Sequence, residues 1–216
     1  MNTLYLGLDP SHFSEPGTLF HYPVIEIRPK NTEEVLPYFQ ILNAYTHFLF
    51  TSKTTVDLFF NLLAQEKISV PKEATYIAIG PVTKEHLLQR GVDPLLAPEA
   101  TQEGVIELMK EIDPAHLRLF LPRSSLARKK LTQFLKENNF DFVSVPLYDT
   151  VYVKPEKTIP WEKINRIAFT SPSTVEGFFR IHSDIPKHVR IWCQGPITKK
   201  KYCEKKNKQL VSLSFQ

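Results

Sequence analysis

Short apolar runs alternate along the chain with stretches that have helical spacing. Residues 45–50 form an aromatic-rich apolar run, and Thr51 and Ser52, which are residue types that cap helices, come next. Apolar side chains then recur at the spacing of one helical face, at Val56, Phe59, Phe60 and Leu63. The pattern predicts a buried strand, a sharp turn and an amphipathic helix.

This strand-turn-helix pattern occurs twice. The sequence F-T-S-K-T-T-V-D-L-F-F at 50–60 matches F-T-S-P-S-T-V-E-G-F-F at 169–179, with seven of eleven positions identical. A second echo follows each copy, as G-P-V-T-K at 80–84 and G-P-I-T-K at 195–199. An internal repeat predicts two supersecondary units built on one plan.

The remaining pattern extends this alternation over the whole chain. We predict further strands at 3–8, 23–28, 94–97, 117–121, 142–147 and 210–215. We predict helices capped by Thr32 and by Thr101, one at 83–90 and a long one at 125–138. The segment 11–22 contains Pro16 and Gly17 and is too short for a full crossover helix. Alternating strands and helices predict an α/β fold with parallel sheets and helices on both faces.

We call the four turns at 51–53, 80–84, 171–173 and 195–199 the corners. Each brings hydroxyl groups and free backbone N–H groups to a helix N-terminus, where a carboxylate or phosphate is stabilised. Ligands of such sheets bind beyond the carboxyl ends of the strands, so two units could grip a flexible anion from both sides. The alternative is that each Ser or Thr is only a helix cap.

Composition narrows the classes of partner. The chain has 216 residues, 42% of them hydrophobic, and a net charge of +4, which favours small anions over nucleic acid. Cys193 and Cys203 match no metal or disulfide pattern, which favours the cytoplasm. No apolar run is long enough to cross a membrane, and no signal peptide is evident. The seven glycines form no phosphate-binding loop of the kind that nucleotides require.

The ordered set of motifs resembles the uroporphyrinogen-III synthase family over nearly the whole chain. The set consists of the doubled F-T-S-x-x-T-V, the doubled G-P-x-T and V-P-L-Y-D-T at 145–150. The resemblance implies two small flavodoxin-like parallel-sheet lobes joined by two extended crossings, with the active site in the cleft between the lobes. By this pattern, lobe 1 comprises residues 1–24 and 154–216, and lobe 2 comprises residues 25–153.

The family converts hydroxymethylbilane, a linear tetrapyrrole with eight carboxylates, to uroporphyrinogen III, with loss of water, inversion of ring D and no cofactor. The resemblance implies that Tyr148 is the catalytic residue, as a proton donor to the departing hydroxyl or as an orienting hydrogen bond. Substrate-binding residues would be Thr51, Ser52, Lys53, Gly80, Thr83, Lys84, Arg123, Ser124, Ser171, Ser173, Gly195, Thr198 and Lys199. We expect a monomer, with the enzyme that makes hydroxymethylbilane as a transient partner.

Three features depart from the family pattern. Lys53 replaces the usual proline, Gln194 replaces a small or aliphatic residue, and the chain is predicted to end in the strand 210–215 where relatives continue into a helix. Two other classes therefore stay open. One is a two-lobed binding protein that closes on an anion without chemistry, and the other is a catalytically degenerate relative that acts as an anion-binding or interaction module.

Overall fold

The computed structural model describes residues 1–11 and 13–213, with side chains described as far as Asn207. The chain divides into two compact units. Unit 1 contains Met1–Ile27 and Thr150–Gln216, and unit 2 contains Arg28–Asp149. The lobe boundaries expected from the resemblance, after residues 24 and 153, stay a prediction.

Strands and helices alternate through most of the described chain. The strands are β1 Asn2–Tyr5, β2 Thr18–His21, β3 Ile25–Pro29, β4 His47–Phe50, β5 Thr75–Ala78, β6 Leu95–Leu96, β7 Arg118–Ser124, β8 Asp141–Tyr152, β9 Arg166–Phe169 and β10 Arg190–Cys193. The helices are α1 Thr32–Phe39, α2 Lys53–Gln65, α3 Pro81–Leu88, α4 Gln102–Lys110, α5 Lys130–Glu137, α6 Pro172–Ile181 and α7 Gly195–Leu213.

The strands form two sheets, one within unit 1 and one whose residues lie mostly in unit 2. The sheet of unit 1 has the order β10-β9-β1-β2, and all of its neighbouring strands are parallel. The second sheet has the order β3-β8-β7-β4-β5-β6, and it is parallel from β8 to β6. The predicted α/β class with parallel-sheet lobes is therefore confirmed.

The repeated phenylalanines make the same contacts in both units. In unit 2 the rings of Phe50 and Phe59 lie edge to face with centroids 5.2 Å apart, and Phe60 stacks on Phe50 at 6.5 Å. In unit 1 Phe169 lies edge to face with Phe178 at 5.7 Å and stacks on Phe179 at 6.3 Å. Because these rings link the end of a strand to the helix that follows, they hold each corner in place.

Both described helices of unit 1 that follow its strands pack on one face of the sheet. Phe178 of α6 and Tyr202 of α7 contact the core cluster that contains Leu4 and Ile167. The opposite face is covered by the segment 13–15, whose Phe13 ring lies 5.3 Å from Tyr5. The prediction of helices on both faces is therefore wrong for the described part of unit 1, because β1 connects to β2 without a helix.

The structure corrects one prediction near the C-terminus, and a helix begins at each of the four predicted corners. The predicted strand at 210–215 is wrong as far as Leu213, because α7 runs without a break from Gly195 to Leu213; residues 214–216 lie outside the described part. No glycine or proline follows Pro196, so nothing in the sequence stops this helix. The helix that the last corner was predicted to begin is confirmed, and only the strand predicted after it is wrong.

Several other boundaries differ from the sequence pattern. Strand β2 was not predicted, α1 is capped by Asn31 rather than Thr32, and β8 is one strand of twelve residues. The long helix predicted at 125–138 is α5, which begins only at Lys130, six residues after β7 ends at Ser124.

A polar connection between α4 and α5 explains the late start of α5. The buried Gln102 donates from Nε2 to the carbonyl oxygen of Arg128 at 3.2 Å and accepts from the backbone N–H of Leu131 at 3.2 Å. Glu103 accepts from Lys130 Nζ at 3.0 Å and from both terminal nitrogens of Arg128 at 3.3 Å. Lys130, and then Arg128, lower the pKa of Glu103 to about 2.

We expect the Glu103→Gln variant to have an altered pH dependence of stability. The folded-state pKa of Glu103 is about 2 against an ordinary value of 4.5, so its ionised form stabilises the fold above pH 4.5 and this stabilisation is lost as the pH falls towards 2. The side chain is 39% exposed, so we expect an effect below about 1 kcal/mol at pH 7. Denaturant unfolding at pH 7 and pH 3 would measure it.

Glu107→Gln is the matched control, because Glu107 lies on the same helix and, among the described residues, its one ion pair is with the nearby Lys110. A Glu103→Gln variant that is less stable than the wild type by the same amount at both pH values would contradict the prediction.

Candidate functional site

Three polar turns of unit 2 lie along one edge of its sheet. Residues 51–53 follow β4, residues 80–84 follow β5, and Arg123 and Ser124 end β7. These three strands are parallel neighbours in the order β7-β4-β5, so their carboxyl ends lie side by side. The structure thus brings the predicted site residues of unit 2 to one edge of the sheet, as expected for a ligand site of this fold.

The first corner is built around the cap of α2. Ser52 has extended backbone geometry, and its Oγ accepts a hydrogen bond from the backbone N–H of Thr55 at 3.2 Å. The two hydroxyl oxygens of Ser52 and Thr55 are 2.7 Å apart. Thr51 and Lys53, which flank the cap, are partly buried. The hydroxyl of Ser52 is therefore held in place by its own helix.

Tyr148 reaches this corner from strand β8. Its side chain is 7% exposed, and its phenol oxygen lies 3.5 Å from Ser52 Oγ, the upper limit for a hydrogen bond. The two residues are 96 positions apart in the sequence. The structure therefore places the predicted catalytic residue next to a predicted substrate-binding residue.

The second corner presents backbone groups more than side chains. Gly80 caps α3 without a side-chain hydrogen bond, and Pro81 at the first helical position has no N–H. Thr83 is only 4% exposed, and Lys84 Nζ lies 3.4 Å from Asp93. A Cβ at Gly80 would come within 2.7 Å of the Ala100 side chain, so this turn requires glycine for close approach.

Arg123 is buried at the end of β7, with 7% of its surface exposed. Its Nη2 donates to the carbonyl oxygen of Arg128 at 2.6 Å, and burial lowers its pKa. Among the described residues it has no carboxylate partner. The neighbouring Ser124 accepts from the backbone N–H of Leu126 at 3.2 Å. A buried guanidinium without an acidic partner is suited to an anionic ligand, because such a ligand would supply the missing charge.

In unit 1 the corner at 171–173 is a complete capping box. Ser171 Oγ accepts from the backbone N–H of Thr174 at 3.2 Å, and Thr174 Oγ1 accepts from the backbone N–H of Ser171 at 3.2 Å. Ser173 Oγ lies 2.8 Å from Ser171 Oγ. The hydroxyls of this corner therefore form hydrogen bonds to one another and to the backbone. This is the helix-capping role that the sequence analysis gave as the alternative to anion binding.

The last corner starts helix α7. Gly195 has a φ of +78°, a conformation that favours glycine. Thr198 is 2% exposed, whereas Lys199 is exposed. Thr198 and Thr83 occupy equivalent places in the two G-P-x-T corners, and both are buried. We conclude that these two threonine side chains pack in the protein interior and that the backbone N–H groups are the donors available at these corners.

The charge pattern of the helix N-termini supports an anionic ligand. The four helices that begin at corners, α2, α3, α6 and α7, have no acidic residue in the first turn. Of the other helices, α1 begins with Glu33 and Glu34 and α4 has Glu103 in its first turn, whereas α5 has no acidic residue there. Acidic side chains usually stabilise a helix N-terminus, so their absence at the corners leaves that position to a carboxylate from outside.

Thr55 is the residue of this site that the sequence analysis missed. It is fully buried and links to Ser52, as its counterpart Thr174 links to Ser171. Its signal was present in the repeat, because Thr55 and Thr174 are one of the seven identical pairs. The described residues contain no cluster of His, Cys, Asp and Glu that could hold a metal ion, and none of their helices combines the length and apolarity of a membrane span.

These features define an α/β protein of two parallel-sheet units whose polar corners begin helices at the carboxyl ends of strands. The family model described as uroporphyrinogen-III synthase HemD matches residues 15–212, which include segments of both units. The chain belongs to the uroporphyrinogen-III synthase family.

Individual relatives agree with this assignment. A uroporphyrinogen-III synthase from Chlorobaculum parvum is 28% identical over 171 residues, which cover 73% of this chain and 67% of that protein. The structure of a mutant uroporphyrinogen III synthase from Thermus thermophilus has a TM-score of 0.69 at 15% identity, covering 95% of this chain and 89% of that one. The Helicobacter pylori uroporphyrinogen-III synthetase has a TM-score of 0.62 at 16% identity, covering 100% and 99%. The two structures support the fold alone.

We expect Ser52→Ala to lower the free energy of unfolding by about 1 kcal/mol, because it removes the cap of α2. Thr54→Ala is the matched control, since Thr54 lies in the same turn and makes no side-chain hydrogen bond among the described residues; we expect a change within about 0.5 kcal/mol. Denaturant unfolding monitored by circular dichroism would measure both variants. Equal values for the two variants would contradict a capping role for Ser52.

Proposed function

We propose that this protein is an active uroporphyrinogen-III synthase, which cyclises hydroxymethylbilane with loss of water and inversion of ring D. The observation that carries the proposal is the family match over residues 15–212, a range that contains every predicted site residue. The contacts of Tyr148 and Arg123 and the charge pattern of the corners support the roles proposed below.

The substrate would be held through its carboxylates. Its eight acetate and propionate arms suit the first-turn N–H groups of α2, α3, α6 and α7, where no acidic side chain competes. Arg123 would pair with one further carboxylate, because its buried guanidinium has no acidic partner among the described residues. Lys53, Lys84 and Lys199 would add positive charge next to the corners; Lys84 Nζ lies 3.4 Å from Asp93 in the structure.

Tyr148 would assist the departure of the terminal hydroxyl group. The lone pair of the adjacent pyrrole nitrogen expels this group as the C–O bond breaks, which leaves a cation on the tetrapyrrole. The phenol would hydrogen-bond to the departing oxygen or transfer its proton to it, so that water leaves. Ser52 would orient the phenol through the contact between their oxygens, 3.5 Å long in the structure. Catalytic hydrogen bonds of this kind are often longer in the absence of substrate.

The larger task of the protein would be to position the reacting rings. Without guidance, the cation closes directly and gives the symmetric isomer I. Holding the carboxylate arms at fixed N–H groups would favour the attack that inverts ring D, because orientation alone can change the relative rates of competing closures greatly. No cofactor enters this scheme. We further propose that the protein acts in the cytoplasm as a monomer, with transient contact to the enzyme that supplies hydroxymethylbilane.

A product assay tests this proposal directly. Hydroxymethylbilane is generated in the presence of the purified protein, the products are oxidised, and isomers I and III are separated. We expect isomer III to predominate, whereas the protein-free control gives isomer I. If folded protein gives isomer I alone, the chain is instead an anion-binding or interaction module that has kept the family fold, which is the main competing class.

We expect Tyr148→Phe to reduce kcat by at least about tenfold while the unfolding midpoint changes little, because only the phenol oxygen is removed. Tyr152→Phe is the matched control on the same strand, since the ring of Tyr152 packs under Arg180 with 4.1 Å between Cζ and the ring centroid. The control should keep the wild-type rate. Equal kcat values for wild type and Tyr148→Phe would exclude a catalytic role for the phenol.

A further inference from the structure

Two arginines lie side by side at the amino ends of the unit 1 strands, at the opposite end of the sheet from the corners. Arg166 and Arg190 are the first residues of β9 and β10, and they are register partners, as are Arg166 and Thr3 of β1. Side chains of register partners point to the same face of a parallel sheet. This face is the one covered by Phe13, because Trp192, two residues after Arg190, contacts the Phe13 ring at 5.2 Å.

Arg166 is buried, with 5% of its surface exposed. Its Nε donates to Thr3 Oγ1 at 2.9 Å, and its Nη1 donates to Glu15 Oε2 at 2.7 Å. Its Cζ lies 5.3 Å from the centroid of the Phe13 ring. The remaining nitrogen, Nη2, is buried and has no hydrogen-bond partner. Buried donors are almost always paired, so this nitrogen marks an incomplete site.

The positive charge on this face of the sheet is also only partly neutralised. Arg190 is exposed and forms no ion pair within the described part of the chain. Glu15, whose side chain is 41% exposed, is thus the one carboxylate shown to neutralise this pair of guanidinium groups. A tetrahedral oxyanion could bind both arginines, since it offers several acceptor oxygens and up to two negative charges.

We propose that Arg166 and Arg190 form a binding site for a phosphate group, either as inorganic phosphate or on a small phosphorylated molecule. Phosphate would pair with the exposed Arg190 and, by displacing Glu15, reach Arg166, whose Nη2 is buried and unpaired in the structure. Glu15 occupies the neighbouring position on Nη1, and it acts as an internal competitor because its carboxylate makes the same type of bond. The site is separate from the proposed substrate site, because it adjoins the first residues of the strands rather than the last.

Fluorescence of Trp192 provides a readout that is independent of synthase activity. The chain contains two tryptophans, so Trp161→Phe leaves Trp192 as the reporter, in contact with Phe13. Inorganic phosphate is titrated at constant ionic strength, with chloride as the balancing anion. We expect a saturable change in fluorescence, and calorimetry on the wild-type protein should give the same Kd without any reliance on the Trp161 variant.

Two substitutions should change the Kd for phosphate in opposite directions, and this would distinguish a binding site from a structural ion pair. We expect Glu15→Gln to lower the Kd for phosphate at least fivefold, because it removes the competing charge, and Arg190→Gln to raise it at least tenfold. Glu156→Gln and Arg180→Gln, which change exposed residues elsewhere in unit 1, should leave it unchanged. Arg166 is kept, because its replacement would break the contacts with Thr3 and Glu15.

Specific outcomes would overturn the proposal. One is the absence of a saturable response in both the wild type and Glu15→Gln. Another is a response of the same size to acetate, or one that is unaffected by Arg190→Gln, since either would indicate adventitious ion binding. A phosphorylated monosaccharide tested beside inorganic phosphate distinguishes the two sources: tighter binding of the sugar phosphate assigns the site to a phosphorylated molecule, and equal binding assigns it to the free ion. These results do not depend on whether isomer III is formed.

Discussion

Four helices of this protein begin where a parallel strand ends, and their first N–H groups have no partner within the helix. This constraint follows from helix geometry, because the first turn has no preceding carbonyl groups to bond to. Ser52 and Ser171 each accept from one of these groups, whereas Gly80 caps α3 without a side-chain hydrogen bond. Repeated ring contacts hold the strand and helix of each F-T-S corner at a fixed angle, so the remaining donors point beyond the sheet edge.

The duplicated corners have diverged in what their hydroxyls contact. Both copies keep the serine cap and the buried threonine three residues later. In unit 2 the serine also meets the phenol of Tyr148, whereas in unit 1 it meets the hydroxyl of Ser173. The repeated serine cap is therefore preserved while the second contact of its hydroxyl differs. This is possible because the cap uses only one acceptor site of the serine oxygen, so the hydroxyl can also contact another group.

Unit 1 demonstrates how a sheet face can be covered without a helix. The segment 13–15 supplies one aromatic ring that contacts Tyr5 and Trp192, and one carboxylate that neutralises Arg166. These contacts bury the sheet side chains beneath them, since Thr3 and Arg166 are only 1% and 5% exposed. The cover is small, however, and it leaves one guanidinium nitrogen unpaired. The connection between β1 and β2 is too short to contain a helix that would cover this face. The arginine site proposed above lies on the face that is left partly uncovered.

The sequence by itself determined the α/β class, the repeat and the four corners, because these depend on local patterns: apolar runs, helical spacing and capping residues. It did not determine that Ser52 contacts Tyr148 or that Thr83 and Thr198 are buried. Nor did it determine that α5 begins at Lys130, where Gln102 accepts a hydrogen bond from the backbone N–H of Leu131. The sequence also led to a wrong strand at residues 210–213, because apolar residues alternate there. Helix α7 continues through these residues, since no glycine or proline ends it. These features were decided by tertiary structure, because each depends on residues that are distant in the chain or on the propagation of a helix already formed.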